Sequence, residues 1–296
     1  MRKKITVLII FVLAICSINI EAKTSKTKKK NIYNAKYNTA SRYQKLDVYY
    51  PKEINANGNN KVVLFIHGGS YAGGDKRDYY QKNSKYFNDA GIVYISMNYR
   101  RSGVKKYPGA IDDTKTAIRY LKAHSKRLKI NPNKIVLMGH SAGANLGSIV
   151  ASTPKVKSFG KEKVRYKKYS NYVAGYIGVA GYYNTNDFLK KPMKTNSKQR
   201  TRIKRYYYSK NKKVYKNNLV KGNASRYAKG IKVPSLLISG KQDKTISYKQ
   251  TQKYCATLKK NKKYATCYYK DNSGHSLGYY QNEDDFKVMI DYVKRR

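Results

Sequence analysis

Ile135-Val136-Leu137-Met138-Gly139-His140-Ser141-Ala142-Gly143 is the stretch whose reading decides the fold. Four apolar residues in a row read as a strand buried on both faces. Ala142 to Ala151 follows with the small residues of a tightly packed helix. The chain must reverse sharply between the two. Gly139 and Gly143 relieve the crowding there, so that Ser141 projects from a strand–turn–helix elbow. A G-x-S-x-G arises by chance roughly 0.1 times in a chain this long at average glycine usage, so the context, not the pattern, carries the weight. Ser141 at a helix N-terminus also meets free N–H groups that favour negative charge.

Outward from this elbow, strand-like and helix-like segments alternate. Leu46 to Tyr50 alternates and stops at Pro51, as an edge strand does. Val62-Val63-Leu64-Phe65-Ile66 and Ile92 to Met97 are buried runs, and Asp112 to Leu128 has helical spacing. Asn131-Pro132-Asn133 reads as a turn. Val173 to Ala180, Pro234 to Ser239 and Tyr264 to Tyr269 read as strands; Tyr248 to Lys259 and Asp284 to Lys294 read as helices. The alternation predicts an α/β fold with a mostly parallel central sheet and helices on both faces.

A serine hydroxyl needs a base within hydrogen-bond reach, and the base needs an orienting carboxylate. The chain has 4 histidines. His275, in the loop Asn272-Ser273-Gly274-His275-Ser276 after the last strand, has the placement a movable imidazole needs. His67 and His140 read as structural, holding a turn and the elbow, and His124 lies on a basic helix. Asp243, in Gly240-Lys241-Gln242-Asp243 after a strand, is the expected carboxylate, and Asp271 the competitor. The order Ser141, Asp243, His275 is that of the strand–elbow–helix hydrolases. The backbone N–H of Ala142, with those of Gly69 and Ser70 in the turn His67-Gly68-Gly69-Ser70-Tyr71-Ala72-Gly73-Gly74, would hold the oxyanion. These residues call for no cofactor and no metal.

Taken together, these segments resemble the α/β-hydrolase superfamily, and within it secreted esterases with an H-G-G turn. That group includes hormone-sensitive-lipase-like carboxylesterases and feruloyl or acetyl-xylan esterase-like hydrolases. The resemblance rests on Leu46-Asp47-Val48-Tyr49, His67-Gly68-Gly69, Asn98-Tyr99-Arg100, Tyr107-Pro108, Asp112-Asp113, Gly139 to Gly143, Gly240 with Asp243, and Gly274-His275. It implies a serine hydrolase that cleaves carboxylic esters, with acetyl or feruloyl esters on polysaccharide as one expected class. Two positions depart from the pattern. Ser70 replaces a third glycine, and Ala144 replaces the glycine that often follows S-A-G. A serine peptidase of the same fold and a non-catalytic binder of an anionic polymer are the alternative readings.

Composition adds constraints. Lys+Arg number 64 against 16 Asp+Glu, a formal charge of +48, and there are 32 tyrosines. Codon bias toward AT-rich triplets would account for the Lys, Asn, Tyr and Ile, but not for scarce Asp and Glu. A basic surface therefore suggests an acidic polymer as partner; no nucleic-acid module is recognisable. One apolar run excludes a multi-span membrane protein, and 3 cysteines exclude a disulfide-dense miniprotein. Arg2, Lys3 and Lys4 before an apolar run to Ile20 and a small Ala22 read as a secretory signal over residues 1–22, with an uncleaved anchor as the alternative. Residues 23–40 read as a basic flexible tail and 41–296 as the α/β-hydrolase domain. Within that domain, residues 184–222 form an insertion over the sheet's edge that should rim the active site; Lys190 to Lys216 carries no acidic residue. Cys16 would leave with the signal, and export then favours a Cys255–Cys267 disulfide.

Overall fold

The computed structural model describes residues 25–190, 196–275 and 283–296. The signal-sequence reading for residues 1–22, and Cys16 with it, lies outside the described residues. So does part of the basic insertion.

An eight-stranded sheet organises the chain. Its strands are β2 (Ile32–Lys36), β3 (Lys45–Tyr49), β5 (Asn60–Ile66), β6 (Val93–Met97), β7 (Ile130–His140), β8 (Gly175–Val179), β9 (Ser235–Gly240) and β10 (Ala265–Lys270). The spatial order is β10-β9-β8-β7-β5-β6-β3-β2. β2 and β3 run antiparallel to their neighbours and the remaining pairs are parallel. A small ladder joins β1 (Lys26–Thr27) to β4 (Ile54–Asn55). Helices α1 (Tyr80–Asp89) and α9 (Glu283–Lys294) cover one face; α2 (Gly109–Ala123), α4 (Ala142–Ser152) and α8 (Lys249–Lys260) cover the other.

The continuous apolar runs are explained by this layering. Within β5, Val62, Leu64 and Ile66 join one core cluster while Val63 and Phe65 join the other. In β7, Ile135 and Leu137 face one side, Val136 and Met138 the other. Each strand residue is apolar because neither face meets water. The turn after β5 and the elbow after β7 therefore lie side by side at the carboxyl ends of adjacent strands, where the strand order reverses.

Several local expectations are corrected. Residues 23–40 are not simply a tail, since β1 and β2 form there. Tyr37 is fully buried, its hydroxyl donates to the Asn98 carbonyl at 2.7 Å, and Asn34 N–H donates to Asp47 at 2.6 Å. Long-range pairing outweighs the Lys-rich composition. β2 thereby covers β3, so Leu46 to Tyr50 is an interior strand rather than an edge. The helix expected over 112–128 begins at Gly109 and breaks at His124, which separates α2 from α3 (Ser125–Leu128). The turn expected at 131–133 lies within β7. Pairing with β5 jumps from Asn60–Ile130 to Val62–Ile135, so the residues between are extra length on one strand.

The described part of the insertion is helical, with α5 (Thr185–Lys190), α6 (Ser197–Tyr207) and α7 (Lys212–Lys221). Both flanking strands, β8 and β9, are interior, so it does not lie over the sheet's edge. It packs at the carboxyl ends of the strands instead. Tyr206 stacks on Tyr71 at 4.0 Å, and Tyr107 N–H donates to the Tyr206 carbonyl at 2.9 Å.

Cys255 on α8 and Cys267 on β10 form a disulfide, with Cα atoms 6.5 Å apart. It ties the last strand, whose C-terminal loop carries His275, to the helix beside it. Because it closes a loop of a dozen residues, its loss should cost about 3 kcal/mol. Thiol titration of the denatured, unreduced full chain should find one thiol, that of Cys16. Three thiols would show that the bond does not form.

Candidate active site

Ser141 stands between β7 and α4 with φ 55° and ψ −117°, a conformation side chains rarely adopt. Backbone contacts enforce it. Ser141 N–H donates to the Val179 carbonyl at 2.9 Å. A Cβ on Gly143 would lie 2.1 Å from the Ile66 carbonyl oxygen, and one on Gly139 would lie 2.2 Å from that of Gly143. Helix α4 can approach β5 only because these positions lack side chains. Ala144, the departure downstream, fits against Gly181, where a Cβ would lie 2.8 Å from its own.

His275 Nε2 lies 3.1 Å from Ser141 Oγ, and His275 Nδ1 lies 2.8 Å from Asp243 Oδ2. The partners set the tautomer: Nδ1–H donates to the carboxylate, leaving Nε2 to accept from the serine hydroxyl. Asp243 is buried, and its Oδ1 accepts the N–H groups of Thr245 and Ile246, each at 2.8 Å. The carboxylate is thus fixed by the loop after β9. Asp271 is elsewhere, exposed and paired with Lys241 at 2.5 Å. The arrangement can withdraw the Ser141 proton and hold the resulting imidazolium.

His140 and His67 frame this line. His140 Nε2–H donates to the His275 carbonyl at 3.0 Å, so the elbow itself grips the histidine loop. Burial, together with the nearby His275, pushes the His140 imidazole down to about 3. His67 is buried, stacked on Tyr99 at 4.3 Å, and burial lowers its affinity for a proton too. His124 packs against Tyr120 and Tyr166, neither of which touches the Ser141–His275 line.

The His140 shift gives a pH prediction. In the unfolded chain its imidazole protonates as pH falls through 6.5; in the folded chain it stays neutral until about 3. Its contribution is fully present above pH 6.5 and is lost as pH falls toward 3, at about 1.4 kcal/mol per pH unit. Urea midpoints between pH 7.5 and 5 should fall accordingly, and His140→Gln should flatten the decline. An unchanged slope in that variant would contradict it.

A cavity of 240 Å³ opens at Ser141, bordered by Gly68, Gly69, Ser70, His140 and His275. Gly69 has φ 96°, and a Cβ there would lie 2.3 Å from the Gly73 carbonyl oxygen. Ser70 and Tyr71 follow with φ of 55° and 61°. Tyr71 holds this unusual backbone: its hydroxyl donates to Asn145 at 2.8 Å, accepts from Tyr182 at 2.6 Å, and its ring lies against Tyr206. Gly69 and Ser70 thus face the cavity beside Ser141. Ala142 begins α4, where N–H groups have no intrahelical acceptor. The sequence reading did not single out Tyr71, Asn145 or Gln199, since no local pattern marks them.

The sheet order, the elbow and the serine–histidine–aspartate line define an α/β hydrolase. The chain belongs to the BD-FAE family, whose profile matches residues 46–258. It is similar to the probable carboxylic ester hydrolase LipM of Mycobacterium tuberculosis, with 30% identity over 123 residues. That match spans 42% of this chain and 28% of the relative, so the chain covers under a third of that relative's length. Among solved structures, a truncated carbohydrate esterase from gut microbiota superposes with a TM-score of 0.77 at 20% identity, covering 91% of this chain and 96% of the other. A thermophilic esterase of Thermogutta terrifontis superposes with a TM-score of 0.67 at 17% identity, covering 90% of each chain. These two likenesses concern the fold.

Proposed function

We propose that this protein is a serine esterase that cleaves carboxylic esters through an acyl-enzyme. The observation that carries the reading is the unbroken line Ser141–His275–Asp243, at 3.1 and 2.8 Å, opening onto a cavity. His275 takes the proton as Ser141 Oγ attacks the ester carbonyl. The N–H groups of Gly69, Ser70 and Ala142 hold the oxyanion. His275 then protonates the leaving alcohol, and water releases the acid by the same route. Esters on carbohydrate are the proposed class, supported by the carbohydrate esterase neighbour. Secretion is supported by the basic-then-apolar N-terminus and by the disulfide. Among the described residues no helix is long and apolar enough to cross a membrane.

A fluorophosphonate probe should label Ser141, and an ester panel from acetyl to long acyl and feruloyl should show turnover. Cleavage of peptides without turnover of any ester would replace this reading with a peptidase.

A further inference from the structure

Helix α6 brings basic residues to the active site, and they are not equivalent. Lys198, Lys204 and Arg205 are exposed, and Arg200 is half-buried with its Nε unpartnered but does not line the cavity. Gln199 and Arg202, three residues apart on one face of the helix, border the cavity that holds Ser141 and His275. The Arg202 guanidinium stands over the turn carrying Gly69 and Ser70: a Cβ on Gly73 would lie 3.9 Å from Arg202 Nη1. One turn later, Tyr206 is fully buried against Tyr71 and its carbonyl accepts from Tyr107, so this face of α6 is fixed against the catalytic turn.

A guanidinium in a half-buried setting is normally satisfied by a carboxylate or by carbonyls. Arg100 and Arg119 in this protein obey that rule, with Asp113 and Glu162 on one and backbone carbonyls and Asn171 on the other. For Arg202, no ion pair or side-chain hydrogen bond is formed among the described residues. Asp78 borders the same cavity, but its Oδ2 accepts the Asp75 N–H and no ion pair joins it to Arg202. Gln199 Oε1 is likewise buried without a partner. The cavity therefore presents an unpaired planar cation beside the nucleophile; the Gln199 oxygen, an acceptor, would take a hydroxyl rather than a carboxylate.

We propose that Arg202 forms a subsite for a carboxylate carried by the ester substrate, so that the enzyme prefers acidic esters over neutral ones. This rests on the esterase reading above. A carboxylate would dock by two parallel bonds to the guanidinium fork, which Lys cannot offer. The contact is short-range, unlike the general attraction exerted by the exposed lysines and arginines of α6, which salt screens.

The test compares matched esters at about 0.5 M salt, where long-range attraction is largely removed. Para-nitrophenyl hexanoate against the hemiadipate places the carboxylate on the acyl side. Phenyl acetate against meta-acetoxybenzoate places it on the alcohol side. The readout is the acidic-to-neutral ratio of kcat/KM. Arg202→Gln should lower that ratio about 10- to 100-fold in one of the pairs, the size expected for a lost charge-assisted pair. Arg202→Lys should retain part of it and guards against a folding defect. Joint replacement of Lys198, Lys204 and Arg205 by Gln should alter the ratio at low salt only. If the wild type turns over the neutral esters but Arg202→Gln leaves both ratios within about twofold, the subsite is overturned and the esterase reading stands. If the wild type cleaves no ester, the esterase reading falls and takes the subsite with it.

Discussion

Ser141→Ala is expected to lower kcat on any turned-over ester by at least about 10³-fold, with the fold unchanged. Serine, histidine and carboxylate act as one unit, so removing the nucleophile discards the contributions of the other two. The residual rate would come from the oxyanion turn and the cavity, which the substitution leaves alone. Alanine also keeps the elbow's geometry, since the unusual Ser141 backbone is imposed by Val179, Gly139 and Gly143 rather than by the hydroxyl. Urea denaturation should therefore give a midpoint near that of the wild type. Near-normal turnover in a variant shown to be free of wild-type protein would remove Ser141 from the mechanism.

The second large effect concerns stability. Asp113 on α2 and Arg100 after β6 form a buried pair, with side chains 1% and 6% exposed. Arg100 Nη2 donates to Asp113 Oδ1 at 2.7 Å, Arg100 N–H to Oδ2 at 2.8 Å, and Gln44 to Oδ1 at 2.6 Å. Glu162 receives the other side of the guanidinium at 2.7 and 3.0 Å. Asp113→Ala would leave a buried cation without its main partner and should cost about 3–5 kcal/mol. The double variant Arg100→Met, Asp113→Leu should cost much less than the sum of its parts, because it removes both charges together. Urea unfolding of the two single variants and the double measures this directly. A loss under about 1 kcal/mol in Asp113→Ala would show that Glu162 alone satisfies Arg100.

The two expected results rest on different kinds of information. The elbow and its serine were readable from Ile135 to Gly143 because the constraint is local: a buried strand, a sharp turn and a small-residue helix leave few conformations. The choice of His275 and Asp243 was readable too, since each follows a strand whose carboxyl end must reach the same rim. The layered sheet followed from runs such as Val62 to Ile66, where consecutive apolar residues require two covered faces. The Lys-rich segment after residue 25 looked solvated because no local feature reveals that Ile32 to Tyr37 will find β3, and the single helix over 112–128 hid a break at His124.

What the sequence by itself determined is the fold class and the three residues of the candidate triad, because both are written in short-range patterns of burial, glycine placement and chain order. The tertiary structure alone decided which of the many basic residues share a space with the candidate triad. It puts His140 beneath the His275 loop as a buried donor, sets Tyr71 among Tyr182, Tyr206 and Asn145 as the support of the catalytic turn, and separates Arg202 from the other cations of its helix. In the sequence these side chains are separated by tens of residues, or are identical in type to neighbours that face water. Their distinction is one of position relative to the sheet, which only packing assigns.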